Sequence, residues 1–167
     1  MIEMNICLHI NQIALPNVFL LDTKQNMVIN GKFTKLIYSN EYFTMNGMFI
    51  SFPIANWRIE NVVNRSNYLC YPSNNGNQTV IQKFLSLESD IIELYREVNH
   101  CRKTLSPIFA NQLNSCSLKI TKDFYSKITA PDLIPNSNKR IVIKISGVWE
   151  SADEIGVTYK ITELYDV

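Results

Sequence analysis

The sequence of 167 residues carries 46% hydrophobic and 19% charged side chains with only 5 Gly, which is enough apolar material for one core and too little chain for two ordinary domains. Its 16 basic and 15 acidic side chains give a formal charge of +1, so no whole-molecule electrostatic case exists for nucleic acid or membrane and any such case must come from local patches. No apolar run approaches the roughly 18 residues of a membrane span, and Met1-Ile2-Glu3-Met4-Asn5 lacks the positive region of a secretion signal. The expectation is one domain over 1–167, intracellular, with no membrane contact.

In chain order, residues 1–72 read as a β-meander. Short apolar runs at 4–10 and 17–21 are separated by Pro16, which has no N–H to donate to a central ladder. Runs at 27–29 and 33–38 flank Asn30-Gly31, and runs at 42–43 and 48–52 flank Asn46-Gly47. Asn-Gly supplies positive φ at little cost, so each pair predicts a hairpin turn. Phe33, Tyr38, Phe43, Phe49 and Phe52 make this the aromatic-rich stretch, as strands favour. The polar segment 72–77 reads as a surface loop.

Residues 79–116 read as a helical insertion. From Val80 onwards Ile81, Phe84, Ile91, Ile92 and Tyr95 recur at three and four, predicting a helix of roughly 20 residues with Thr79 as N-cap. Phe84, Ile91, Ile92 and Tyr95 should cover the sheet while Glu88, Glu93 and Glu97 stay in water. Ser106-Pro107 predicts a second, short helix that packs Ile108, Phe109 and Leu113 inward.

Residues 117–167 supply the closing strands. Leu118 and Ile120 alternate with Lys119 and Thr121, and Ile141, Ile143 and Ile145 alternate with Val142, Lys144 and Ser146, the two-residue period of half-buried strands. Gly147 predicts a bulge. After the acidic turn at 151–154 the alternation returns in Val157, Tyr159 and Ile161. The fold class is α+β: a mostly antiparallel β sheet or OB-like barrel, with one long and one short helix inserted before a C-terminal β-hairpin.

Chemical motifs are few. Cys7, Cys70, Cys101 and Cys116 are widely spaced, with His9 and His100 the only histidines, so zinc-ligand spacing is absent and reduced thiols are expected. Gly-rich phosphate loops, nucleophile elbows and H-E-x-x-H are missing. Glu150-Asp153-Glu154 is the one dense carboxylate group, and its place in a turn predicts solvated charge. Neither catalysis nor a metal or cofactor is expected.

Residues 144–150, reading Lys-Ile-Ser-Gly-Val-Trp-Glu, and 155–160, reading Ile-Gly-Val-Thr-Tyr-Lys, resemble the closing strand pair of small single-stranded DNA-binding proteins of OB type from large DNA viruses and virus-like mobile elements. Residues 87–95 and 107–113 resemble the helical part of that group. The likeness spans 80–163 and implies non-sequence-specific binding of single-stranded DNA in viral-type replication or repair, with replication proteins as partners.

Such binding needs aromatic faces, worth about 1–3 kcal/mol per stacked base, beside cations that follow the phosphates. Arg140, Lys144, Trp149, Tyr159 and Lys160 supply both on the closing hairpin. Lys119 and Lys122 form a second basic stretch, Trp57 and Arg58 a third, and Lys32 and Lys35 flank Phe33 in a fourth. The competing expectation is a non-enzymatic protein-interaction or structural viral protein, in which the same aromatics meet an apolar partner.

Overall fold

The computed structural model describes residues 7–28, 30–62, 66–121 and 139–165. Its strands are β1 (Val18–Asn26), β2 (Gly31–Ser39), β3 (Thr44–Asn46), β4 (Met48–Ser51), β5 (Arg58–Val62), β6 (Ser66–Cys70), β7 (Thr104–Leu105), β8 (Ser117–Ile120), β9 (Lys139–Glu150) and β10 (Glu154–Tyr165). Two helices, α1 (Asn75–Asn99) and α2 (Ile108–Asn114), separate β6 from β8. The architecture is α+β and mostly antiparallel, the parallel pair β7–β10 being the exception among named strands.

Strict alternation made β9 and β10 the clearest strands in the sequence, and they form the centre of the fold. They pair antiparallel from Glu150↔Ile155 to Lys139↔Tyr165. One irregularity falls where Gly147 faces Thr158 and Ile145 faces Tyr159, leaving Ser146 as the extra residue next to the glycine expected to mark the bulge. The other edge of β9 is shared. β2 occupies it opposite residues 147–150, and β4 takes it over opposite residues 142–145.

That division corrects the second predicted hairpin. Gly47 does adopt positive φ, at 85°, but β3 and β4 do not pair with each other. β3 lies on β2 and β4 lies on β9, and the Gly47 N–H donates to Leu36 O at 3.0 Å. The glycine is a crossover between two partners rather than a turn. The first predicted hairpin does form, but its leading strand is 18–26, not 27–29; Met27 and Val28 stand at the tip, each 93% exposed.

β5, β6 and β8 form a separate three-stranded sheet, linked to β10 by the Thr121 N–H bonding Ile161 O at 2.8 Å. Among the described residues β1 remains an edge and the pairing closes no barrel. No described helix is long and apolar enough to cross a membrane.

Helix α1 starts before its predicted N-cap. Asn74 takes that role, its side chain accepting from the Asn77 N–H, and Thr79 lies within the first turns. The buried Asn77 amide then ties the helix start to Ala55 and Pro72. The stripe of Ile81, Phe84, Ile91, Ile92 and Tyr95 is buried on the sheet, as the periodicity required. Glu88 is also buried, against expectation. It lies four residues after Phe84 and three before Ile91, so helical geometry puts it in the middle of the apolar stripe. In α2, Phe109 and Leu113 face inward, but Ile108 is 55% exposed because the helix begins there and that position points away from the sheet.

Candidate nucleic-acid interface

Cross-strand partners share a face, so the register sorts every strand residue of the central sheet into an inner, helix-covered set or an outer set. The inner set holds Leu36, Tyr38, Met48, Ile50, Ile143, Ile145, Val148 and Val157, all buried. Across the outer face runs one row of Lys24, Phe33, Trp149 and Gly156, from β1 through β2 and β9 to β10. A second row holds Phe49, Lys144 and Lys160, from β4 through β9 to β10. Lys35 lies between them opposite Gly147, and Phe19, 48% exposed, extends the apolar surface on β1.

Two glycines shape the first row. A Cβ on Gly147 would lie 2.2 Å from Thr34 O and 2.9 Å from the Phe33 ring, and a Cβ on Gly156 would lie 2.8 Å from the Trp149 indole. Phe33 therefore rests against β9 where that strand has no side chain, and Trp149 rests against β10 in the same way. Both rings are half-buried, supported from beneath by backbone. In the second row the Lys144 ammonium sits 4.8 Å from the Phe49 ring centroid, a cation–π contact that holds the charge above an aromatic surface. Lys144 and Lys160 face each other directly, and neither has an ion-pair partner among the described residues. Two lysines opposed on a sheet repel, a cost of a few tenths of a kcal/mol to ~1 kcal/mol that an anion between them would remove. Beside Phe33 and Lys35, a concavity of about 540 Å³ opens along β1, lined also by Leu21, Asp22 and Lys24.

The structure thus brings Lys144, Trp149 and Lys160 together on one face, with Arg140 exposed further along the same face of β9. It separates the others. Tyr159 belongs to the inner face, its ring 4.4 Å from Phe109, and burial together with the nearby Glu88 charge raises its hydroxyl pKa. Arg58 and Lys119 lie on the outer side of the three-stranded sheet, where Arg58 pairs with Glu60 at 2.5 Å; Trp57, just before β5, is partly buried against the core. Lys122 lies outside the described residues. Phe19, Lys24 and Phe49 were not singled out as binding residues in the sequence. Their signal was the alternation itself, which places Phe19 with Ile37 and Phe49 with Lys144 once the pairing is known.

The expected solvated turn carboxylates divide differently. Asp153 is exposed, but Glu150 is 8% exposed because it continues the inward parity of Val148. Its oxygens accept from the Tyr95 hydroxyl at 2.5 Å and the Lys103 ammonium at 2.6 Å. Burial alone would raise its pKa, but those two hydrogen bonds and the charges of Lys103 and Lys32 outweigh it and hold the carboxyl below the ordinary value. Tyr95 is pushed up to about 12, first by burial and then by its bond to Glu150. Glu88 is the opposite case: one carboxylate oxygen is buried with no hydrogen-bond partner, and desolvation pushes its pKa up to about 7. No group of three or more metal-capable side chains gathers among the described residues. No protein-family model, curated protein or solved structure matches this chain.

Proposed function

We propose that the outer face of the central sheet binds single-stranded DNA without sequence specificity. The observation that carries this reading is the juxtaposition of ring-bearing and cationic rows: Phe33 and Trp149 on glycine-backed ground, and Phe49, Lys144 and Lys160 beside them. Bases stack on rings whatever their sequence, while ammonium groups follow the phosphates. Lys24, Lys35, Lys144 and Lys160 against Asp22 give this face a local positive balance that the near-neutral total conceals. An OB barrel presents strand faces to its ligand in a comparable way, so the OB-like reading enters here as an analogy of binding face. The setting in viral-type replication or repair, with replication proteins as partners, rests on the resemblance of residues 144–160 to that group.

A protein-interaction role is favoured by one separate observation, the exposure of Phe19 and Leu21 beside the concavity on β1. Salt separates the two. Four lysine–phosphate contacts on a single strand predict that log K falls with log salt at a slope of about −3, whereas an apolar contact barely responds. The test is a titration of the protein with a single-stranded oligothymidylate and a matched duplex at two salt concentrations, following tryptophan fluorescence. Binding of the single strand, quenched emission and a slope that flattens in Lys144→Glu/Lys160→Glu are expected. Absence of binding at low salt ends the proposal, and equal affinity for duplex replaces it with a general nucleic-acid role.

A further inference from the structure

Strand β1 is the open edge of the central sheet. Its main chain bonds to β2 on one side, and among the described residues no main-chain group meets it on the other. Apolar side chains gather along this edge. Of the eight large ones exposed among the described residues, Leu15, Phe19, Leu21, Met27 and Val28 lie on β1 or within three residues of its ends, whereas the surface of a monomer scatters such residues singly. An unpaired strand with an apolar margin is a template for another strand, and the charges on it decide which strand fits.

Leu21 and Asp22 together oppose the single residue Lys35, so this irregularity leaves Asp22 and Lys24 on the outer face, with Thr23 between them turned inward and bonded to Thr34 at 2.6 Å. A second copy adds to the edge antiparallel about a two-fold axis normal to the sheet, which opposes each residue to one on the same face. Three such registers overlap β1 most fully. Centred on Asp22, the register opposes two carboxylates. Centred on Leu21, it sets Asp22 against Leu20 and Lys24 against Val18, leaving both charges beside apolar groups. Centred on Thr23, it sets each Asp22 against the other copy's Lys24 and brings the hairpin tip, with Met27 and Val28 each 93% exposed, alongside Phe19 and Val18. Lysine on an edge ordinarily wards off foreign strands; a strand that carries a carboxylate opposite it lifts that defence, and β1 itself is such a strand. We propose that β1 pairs antiparallel with β1 of a second copy of this chain, in the register centred on Thr23. A single strand pair buries little surface, so the dimer forms in a concentration-dependent way. It joins two central sheets into one with both outer faces on the same side, and it does not depend on what those faces bind.

Sedimentation velocity of the full chain over about a hundredfold range of concentration should show a monomer–dimer equilibrium. Asp22→Lys opposes lysine to lysine across the seam and Lys24→Asp opposes two carboxylates, so each variant alone should remain monomeric over the whole range. Mixed together, the two variants carry opposite charges at both positions and should form a heterodimer, and the exchange Asp22→Lys/Lys24→Asp in one chain should restore self-association. Because an unfolded variant could not pair in the mixture, that rescue separates a lost seam from a lost fold. A parent chain that stays monomeric throughout overturns the proposal and leaves the edge to a strand of another protein. Dimers that survive in both single variants, or single variants that fail to pair when mixed, overturn it equally.

Discussion

On β9, Ile141, Ile143 and Ile145 are at most 2% exposed beneath the helices, while Lys144, between two of them, is only half-buried on the opposite face. The same backbone ladder carries both sets. On the inner face side-chain identity is decided by packing, and small changes in volume or charge are felt through the whole core. On the outer face the arrangement runs against stability, with Lys144 and Lys160 opposed and the Phe33 and Trp149 rings left partly wet.

The sharpest way to separate the faces is to place a charge on the inner one. Ile143→Asp buries an unpaired carboxylate at a site of 0% exposure and should cost at least about 4 kcal/mol, enough to leave little folded protein in a urea melt or in the soluble fraction. If Ile143→Asp melted like the parent chain, the inner face would not be the core.

The inner face already carries one misplaced acid. The Glu88 pKa of about 7 lies above its ordinary 4.5, so the folded chain holds this proton through a pH range in which the unfolded chain has released it. Stability from this group is therefore full below pH 4.5 and declines as pH rises towards 7, by roughly 3 kcal/mol in all. Urea melts at pH 5 and pH 8 should show that loss in the parent and a much smaller one in Glu88→Gln. A parent chain equally stable at both pH values would contradict it, provided Glu88→Gln behaves identically.

Smaller effects sharpen the outer face. In Gly156→Ala the new methyl would press on the Trp149 indole; a ring can swing aside more readily than a backbone, so a cost near 1 kcal/mol is expected, with a changed tryptophan emission and weaker stacking on the oligonucleotide. Unchanged emission would mean that the indole does not rest on the glycine. Smallest in stability is Lys160→Glu, which turns an opposed like-charge pair into an attractive one. It should gain a few tenths of a kcal/mol in thermal melts and lose affinity for single-stranded DNA, flattening the salt slope by about 0.7. A variant that gained stability and bound equally well would remove Lys160 from the interface.

Much of this plan could be read from residue order. The closing hairpin, the long helix and its buried stripe followed from period-two and period-three-to-four patterns, which are local. What escaped was of two kinds. Glu88 and Glu150 were misread by residue type although their positions gave the answer: one falls between Phe84 and Ile91 on a helix, the other continues the parity of Val148. The division of β9 between β2 and β4 was not legible, because no local pattern says which distant strand a segment will meet. The candidate face depended on that pairing, since Phe33 and Phe49 become neighbours of Trp149 and Lys144 only through contacts between the N-terminal strands and β9.

Those pairings also have a consequence in time. Lys35 meets Gly147, and Met48 meets Ile145, so β2 and β4 wait about a hundred residues of synthesis for the strand that joins them, on the order of 5–20 s at ordinary ribosomal rates. During that interval the edge of β2 that will receive β9 and the whole of β4 are unpaired templates, rich in Phe and Ile, of the kind that pairs with a neighbouring chain. The long-range ladder also gives the domain a high contact order and hence slow folding. A nascent chain of this protein therefore carries those unpaired edges until β9 emerges, and the strand that joins β2 and β4 is the one that covers them.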